Sequence, residues 1–272
     1  MKMRKILALT LASLMVVFAF AACTSKKAST DGDAAQLAIA MELTSEEYGI
    51  GFRKGSDLTA AVNTYIAELK ADGTLDALAT KYELTLADLA PSETEEATLA
   101  DLDYVKANGK MIIGITDYKP MNYKDANAAW TGFDTEFAIA VCEKLGVTPE
   151  FVEIDWDNKF VALESKAIDC IWNGMTISED VLKNTSCSVA YVKNAQVVVM
   201  KADKAADYKD AASIADLSFA VEAGSAGASA AEEKSLKNVV EVGTQTDALL
   251  EVTSGSVDAC IIDLTMANAM VK

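Results

Sequence analysis

The chain has 272 residues, of which 51% are hydrophobic, and its formal net charge is −17 at pH 7. A chain of this length and composition can bury a large core, and its acidity argues against nucleic acid as a partner. It contains no histidine, which excludes histidine-based metal sites and catalysis by Ser-His or Cys-His pairs.

The amino terminus predicts secretion. A basic start precedes the uncharged apolar run 6–20, which has the length of a signal-peptide core and is short for a membrane span. The following Ala-Ala-Cys resembles a bacterial lipobox. We therefore expect a lipoprotein signal peptide over residues 1–22 and a lipidated Cys23 that anchors the protein to the cell membrane. A plain signal peptide or an uncleaved anchor remains the alternative. Residues 23–34 are small and polar, as expected of a flexible tether.

The segment after the tether predicts two strands and two helices. Residues 36–43 and 48–52 are apolar runs typical of strands. Apolar residues recur with helical spacing over 58–69, and a second short helix is predicted over 74–82. Residues 85–100 contain a proline and an acidic cluster, so they predict a linker or a surface excursion.

From residue 109 onwards, predicted strands alternate with predicted helices. The strands are predicted at 109–116, 148–155, 168–175, 195–203, 217–222 and 257–263, and the helices at 133–147, 159–167 and 247–254. This alternation predicts an α/β fold with a largely parallel sheet. Residues 163–172 and 252–262 follow a similar pattern, which favours two lobes of similar build with a ligand site in the cleft between them.

Four cysteines follow Cys23, and none belongs to a C-x-x-C pair. Cys142, Cys170 and Cys260 lie within apolar runs, and Cys187 is the fourth. We expect small buried core residues. A zinc site or a disulfide is the alternative, because the sequence does not settle the pairing.

Seven stretches that together cover nearly all of the mature chain carry a family resemblance. They are 46–82, 114–123 ("GITDYKPMNY"), 132–147, 154–178, 188–199, 219–227 ("FAVEAGSAG") and 257–263 ("VDACIID"). Their combination resembles the solute-binding proteins of bacterial ABC importers for polar amino acids, such as the glutamine- and histidine-binding periplasmic proteins. The resemblance implies a type II periplasmic-binding-protein fold, with two lobes and the ligand cleft between them.

The order of the stretches differs from the order in that family. The segment similar to 46–58 follows the segment similar to 257–271 in the family, whereas here it stands near the front. The resemblance therefore implies a circular permutation, in which the family's usual end near Tyr82 and its usual start near Asp101 are joined through residues 85–100. Such rearrangements are tolerated when the old termini lie close together and the new break is at the surface.

The permutation changes which lobe is continuous. By resemblance, lobe 1 runs unbroken over residues 49–190. Lobe 2 combines 35–43 with 196–272. The hinges are expected near 44–48 and 191–195, so closure around a ligand is expected to be retained.

Several site residues follow from the resemblance. Asp263 matches the acid that holds the ligand's α-ammonium group, with capping of the next helix as the alternative role. Tyr118 and Trp156 match aromatic residues that wall the ligand, with ordinary core packing as the alternative. Gly174 and Thr176 match positions where a carbonyl and a hydroxyl meet the ammonium or the carboxylate.

Four further positions complete the expected site. Gly224 and Ser225 match a turn at a helix start, where free N–H groups and the helix dipole favour an anion. Asp117 and Asn173 are expected to line the site or to support the residues that line it.

One position departs from the family. Val181 stands where the family usually places an arginine that grips the ligand's α-carboxylate. The chain has only two arginines: Arg4 leaves with the signal peptide, and Arg53 is expected on the surface. Either Ser225 and the helix start, with or without a lysine, hold the carboxylate, or the ligand is an organic cation that lacks one and is bound by Asp117, Asp263 and the aromatic wall.

The resemblance implies an extracytoplasmic solute-binding lipoprotein. It would act as a monomer without a cofactor, and it would deliver an amino acid or a related amine to an ABC permease in the membrane. A ligand-sensing module and a dehydratase-like enzyme are the alternatives. An enzyme would need a placed general acid, and nothing in the sequence singles out Glu179 or Asp180 for that role.

Overall fold

The computed structural model describes residues 36–90 and 96–271, which belong to one compact unit, Ala34–Lys272. The expected signal peptide, the tether and Cys23 lie outside the described residues. Within the described ranges, no helix is both long enough and apolar enough to cross a membrane.

Strands and helices alternate along most of the chain. The strands are β1 (Leu37–Glu42), β2 (Glu46–Arg53), β3 (Lys110–Ile115), β4 (Tyr123–Lys124), β5 (Trp130–Thr131), β6 (Thr148–Glu153), β7 (Cys170–Thr176), β8 (Thr185–Cys187), β9 (Val192–Asn194), β10 (Gln196–Lys201), β11 (Ser218–Glu222), β12 (Asn238–Val242) and β13 (Ala259–Asp263). The helices are α1 (Leu58–Ala71), α2 (Thr74–Lys81), α3 (Asp101–Asn108), α4 (Phe133–Leu145), α5 (Lys159–Glu164), α6 (Glu179–Asn184), α7 (Ala202–Ala205), α8 (Ala226–Glu233), α9 (Gln245–Ser254) and α10 (Leu264–Met270).

Two mixed sheets organise the fold. One has the strand order β6-β3-β7-β2-β8, with β9 also paired to β2, and the other has the order β1-β10-β13-β11-β12. The expectation of a largely parallel sheet is wrong. Strands linked through helices pair in parallel, as β3 does with β6 and β7, whereas β2 and β10 pair antiparallel with their neighbours. Each of these two strands is the first in its sheet after the chain crosses from the other sheet. It therefore runs in the direction opposite to that of its neighbours.

The chain crosses between the two sheets at two adjacent places. One crossing joins β1 to β2, and the other joins β9 to β10. The two crossings lie side by side, because Glu46 pairs with Asn194 in an antiparallel register and the Leu43 amide donates a hydrogen bond of 2.8 Å to the Gln196 carbonyl. Both crossings overlap the ranges 44–48 and 191–195, near which the resemblance implies hinges.

Each of the two sheets, with the helices packed on it, forms one half of the molecule, and the core of the half that contains the β6-β3-β7-β2-β8 sheet is rich in aromatic side chains. Phe133 stacks on Tyr191 at 6.1 Å, and Phe137 meets Trp172 edge-on at 5.1 Å between ring centroids. The helix α4 that carries both phenylalanines ends at Gly146, whose φ of 78° favours glycine.

All four cysteines of the described residues are buried and have free thiols, as expected of core residues. They are Cys142, Cys170, Cys187 and Cys260. Within the same residues, no group of three or more acidic or cysteine side chains is arranged to hold a metal ion.

Arg53 is buried, which corrects the expectation that it lies on the surface. Its side chain is 5% exposed. Its guanidinium nitrogens pair with Asp101 at 3.0 Å and Asp169 at 3.2 Å, and one also donates to the Ile168 carbonyl at 2.7 Å. A guanidinium can satisfy several acceptors at once, so this residue ties β2 to the start of α3 and to the residue before β7.

The segment 85–100, expected to be a linker or a surface excursion, is attached to the body at both ends. The Ala87 amide donates to the Tyr191 carbonyl at 3.0 Å, and the Lys193 amide donates to the Thr85 carbonyl at 2.8 Å. At the other end, the amides of Thr98 and Leu99 both donate to the Gly55 carbonyl at 2.9 Å.

Candidate functional site

A cavity of 160 Å³ lies between the two halves, at the ends of strands from both sheets. Nine of the ten residues predicted to bind ligand line it: Tyr118, Trp156, Asn173, Gly174, Thr176, Val181, Gly224, Ser225 and Asp263. Asp117 is exposed and is not among the residues that line this cavity. Residues that sequence reasoning missed also line the cavity, among them Thr44, Glu46, Lys159, Ser178, Asp180, Glu222, Glu233 and Gln245.

Asp263 ends β13 and is held by amide groups. Its Oδ1 accepts hydrogen bonds from Asn194 Nδ2 at 2.5 Å and from Gln196 Nε2 at 2.8 Å, and its Oδ2 accepts one from Gln245 Nε2. The Asp263 amide in turn donates to Gln245 Oε1 at 2.9 Å. Amides stabilise a carboxylate without neutralising it, so Asp263 keeps its capacity to attract a cation.

Glu46 begins β2 at the crossing between the halves. Its Oε1 accepts from the same two amides, Asn194 Nδ2 at 2.7 Å and Gln196 Nε2 at 2.8 Å, and from the Thr176 hydroxyl at 2.8 Å. Two carboxylates therefore share two amide donors, and those donors belong to the second crossing. The position of the charges depends directly on how the two crossings lie against each other.

Glu222 ends β11 and is 4% exposed. The pKa of Glu222 is raised to about 8, chiefly by burial and also by the nearby Asp263 charge, while the Gln245 amide and the Lys159 charge act in the opposite direction. Burial likewise raises the pKa of Asp263 to about 7, with the Glu46 charge as a second cause. Within the described part of the chain, none of these three carboxylates has an ion-pair partner.

Lys159 is the cation of the lining. It begins α5 and is 6% exposed, and its Nζ lies 5.0 Å from the centroid of Trp156 and 4.9 Å from that of Phe160. Nζ donates to the Trp156 carbonyl at 3.2 Å and, across the cleft, to the Gly224 carbonyl at 2.8 Å. An ammonium group has three donors, so two carbonyl partners leave one for a ligand.

Gly224 lines the cavity and lies against Asp157 of the other half. Its φ of 65° favours glycine, and a Cβ at this position would lie 2.7 Å from the Asp157 carboxylate and 2.9 Å from the Asp157 Cα. Ser225 follows and caps α8, with its hydroxyl accepting from the Ala228 amide at 3.1 Å.

The aromatic residues have two different roles. Trp156 is 8% exposed and presents its ring to Lys159. The Tyr118 hydroxyl is already engaged, because it bonds to the Tyr48 hydroxyl at 2.6 Å and to the Thr265 hydroxyl at 2.6 Å. Tyr118 thus joins the halves, and it lines the cavity.

Residues of β7 and of the following helix α6 support the cavity from one side. The Asn173 amide accepts from the Thr116 hydroxyl at 2.6 Å and donates to the Thr116 carbonyl at 3.1 Å, so it is committed to the fold. Gly174 has a φ of 56°, and a Cβ there would meet the Tyr118 ring at 2.6 Å. Val181 is buried in α6 and packs in the same cluster as Trp156.

The chain is similar to a known protein family and to several of its named members. Residues 111–269 match the bacterial extracellular solute-binding proteins, family 3. The chain is 31% identical over 174 residues to the arginine-binding extracellular protein ArtP of Bacillus subtilis (strain 168), which covers 60% of this chain and 64% of that protein. It is 31% identical over 105 residues to the L-cystine-binding protein TcyJ of Escherichia coli (strain K12), which covers 38% of this chain and 40% of that protein. The chain thus spans less than two thirds of these curated relatives.

A solved structure of a binding protein is also similar to this chain. The P235GK mutant of ArgBP from T. maritima aligns with a TM-score of 0.60 and 31% identity, over 63% of this chain and 76% of that one. The periplasmic-binding-protein fold that the sequence predicted is therefore confirmed.

The raised pKa values of Asp263 and Glu222 give a pH-dependence of stability. Their ordinary pKa is about 4, so between about pH 4 and about pH 8 the folded protein holds protons that the unfolded chain releases. The contribution of both groups is complete below about pH 4 and is lost as the pH rises through about 7 to 8. We predict that Asp263→Asn/Glu222→Gln, relative to the wild type without ligand, gains stability as the pH rises from about 5 to about 8.

Urea denaturation of both proteins across this range measures the difference. Glu150→Gln, which changes an exposed carboxylate, is the matched control and should follow the wild type. A double variant whose stability stays parallel to that of the wild type would show that the two carboxyl groups titrate normally.

Proposed function

Because the chain belongs to the bacterial extracellular solute-binding proteins, family 3, we propose that it is a binding lipoprotein that captures an amino acid or a close analogue for an ABC importer. The observation that carries the proposal is the cavity between the halves. It is lined by the Asp263 carboxylate, which has no ion-pair partner among the described residues, and by the Lys159 ammonium group. A ligand with both an ammonium and a carboxylate group complements such a pair of charges.

Lys159 is proposed to replace the arginine that the family usually carries at position 181. It is buried at the mouth of the cavity, and Ser225 and the start of α8 line the same cavity. A lysine acts on a carboxylate as a point charge and does not form the bidentate fork of an arginine. The named ligands of the relatives, arginine and cystine, support an amino acid as the ligand class.

Closure of two lobes about the crossings is proposed as the capture step. Lobe 1 would comprise 49–190, and lobe 2 would comprise 35–43 and 196–272, with hinges near 44–48 and 191–195. The shared amides of Asn194 and Gln196 support this division, because they couple the carboxylates of the cavity to the crossing strands. The hydrogen bond from Lys159 to the Gly224 carbonyl spans the cleft and would favour the closed form.

Circular permutation is proposed as the origin of the chain order. The family match covers 111–269, so the segment 36–90 lies outside it. That segment is nevertheless integral to the fold: β2 lies between β7 and β8 within its sheet, and Arg53 is buried in the ion-pair cluster. A permutation moves a segment from one end of the chain to the other, while the segment keeps its central place in the fold.

The proposals for membrane anchoring and for partners are based on the amino-terminal sequence and on the family. We propose anchoring through a lipidated Cys23, an extracytoplasmic location, a monomeric state and an ABC permease as the partner. Binding without turnover is the proposed activity.

An organic cation without a carboxylate is the second candidate ligand. The observation that favours it is the excess of acidic residues in the lining: among the described residues, Glu46, Asp180, Glu222, Glu233 and Asp263 accompany a single cation, Lys159. The two candidates differ in whether Lys159 contributes to binding.

Substitution of Lys159 separates the two candidates. We predict that Lys159→Met weakens binding of L-lysine by about tenfold or more, because a buried cation that faces a carboxylate is lost, and leaves binding of its decarboxylated analogue cadaverine unchanged or tighter. Calorimetry with both ligands measures the effect, and Lys124→Met, which changes an exposed lysine, is the control. Tighter binding of cadaverine than of L-lysine by the wild type would favour the second candidate. An equal loss of affinity for both ligands would indicate that Lys159 acts in closure and does not contact the ligand's carboxylate.

Restoring the family order tests the permutation. We predict that a chain running from 96 to 272 and then, through a short glycine-serine linker, from 36 to 90 folds and keeps the ligand affinity of the parent. Opening the chain between 90 and 96 retains the hydrogen bonds of Ala87 and Leu99 to the body. Circular dichroism and calorimetry measure the two properties. A variant that does not fold, or that folds without affinity, contradicts the permutation.

A further inference from the structure

Glu222 and Asp263 are two buried carboxyl groups at the same edge of one sheet. Each is the last residue of its strand, and β11 and β13 are parallel neighbours with Ala220 beside Cys260, so Asp263 lies one residue beyond the register of Glu222. Parallel neighbours end at the same edge of a sheet, and both residues line the same cavity. The two groups are 4% and 5% exposed.

The surroundings of the two groups are unequal. Asp263 receives hydrogen bonds from three side-chain amides, those of Asn194, Gln196 and Gln245. The ionised form of Glu222 is favoured only by Gln245 and by the charge of Lys159, and Glu222 has no ion pair among the described residues. A buried carboxylate costs free energy unless it is paired, and Glu222 is the less compensated of the two.

A ligand with one ammonium group does not balance the excess of carboxyl groups in this lining. A neutral amino acid carries one positive and one negative charge, so its binding leaves the excess of carboxylates unchanged. A ligand with a second positive charge reduces that excess and meets the second carboxylate in a desolvated site, where opposite charges attract strongly.

A second cavity also has an acidic lining. It has a volume of 470 Å³ and shares Lys159, Gly224 and Ser225 with the first, and its lining adds the acidic residues Asp157, Glu232 and Glu241. A cleft in which charges of one sign predominate raises the local concentration of oppositely charged ligands.

We propose that Glu222 is a specificity-determining residue that selects amino acids with a cationic side chain, its carboxylate receiving the side-chain charge while Asp263 receives the α-ammonium group. This inference rests on the proposed function and deepens it, because it names the ligand class. It also gives a role to a residue that carries no structural ion pair among the described residues.

A neutral hydrogen-bonding role for Glu222 is the competing account. Burial raises the pKa of Glu222 to about 8, so in the empty protein near pH 7 the protonated form predominates and is able to donate to an uncharged ligand. Under that account a neutral side chain with a hydrogen-bond acceptor binds as well as a cationic one, and Glu222→Gln preserves the site. The two accounts therefore predict different ligand preferences.

L-Arginine and L-citrulline form a suitable pair of probes, because they are nearly equal in shape and differ in side-chain charge. Calorimetry with the full chain should show arginine binding about tenfold or more tightly than citrulline. Glu222→Gln should remove most of that preference by weakening arginine binding, with little change for citrulline. Glu222→Asp keeps the charge and should keep a preference for arginine.

Glu233→Gln is the matched control. Glu233 lines the same cavity but is exposed, so its charge is screened by solvent and the preference for arginine should persist. Thermal unfolding of each variant verifies that the fold is intact.

Equal affinity of the wild type for arginine and citrulline would overturn the inference and leave the proposed function standing. A preference that survives Glu222→Gln would also overturn it, since the selectivity would then come from another residue. Failure of the wild type to bind any amino acid would contradict the proposed function itself.

Discussion

The site and the proposed movement depend on three carboxyl groups that are held between the two sheets. Glu46, Glu222 and Asp263 line one cavity, and amide groups stabilise these carboxyl groups where ion pairs would be expected. Amides orient carboxylates without cancelling their charge, which leaves the cavity ready to receive a cation. The cost of this arrangement is visible in the raised pKa values of Asp263 and Glu222.

The donors that hold the charges link the site to the movement we propose. Asn194 and Gln196 flank the second crossing between the halves, and Glu46 lies at the end of the first. Any rotation of one half against the other would change the distances among these groups. A ligand that binds better to one arrangement than to the other would therefore shift the balance between open and closed forms by its difference in affinity.

Much of the fold could be predicted from the sequence, because the strands after residue 109 are apolar and are separated by amphipathic helices. Asp263 could be found because it ends such a strand and matches a family position. Glu222 has a comparable signal, a carboxylate two residues before the turn at Gly224, which the resemblance did not mark. Arg53 was misplaced because its partners, Asp101 and Asp169, are distant in sequence and only the tertiary structure brings them together. Lys159 was missed for a similar reason, since its partner carbonyl at Gly224 belongs to the other half.

The release of protons on binding tests the central claim most directly. If a ligand cation settles against Asp263 and Glu222, it favours their ionised forms, and the protons that these groups hold near pH 7 must leave. Calorimetric titration of the full chain with L-arginine near pH 7, in two buffers of different ionisation enthalpy, gives the number of protons exchanged. The account predicts net release of protons, which diminishes in Asp263→Asn/Glu222→Gln. Tight binding with no release, or with uptake, would contradict it.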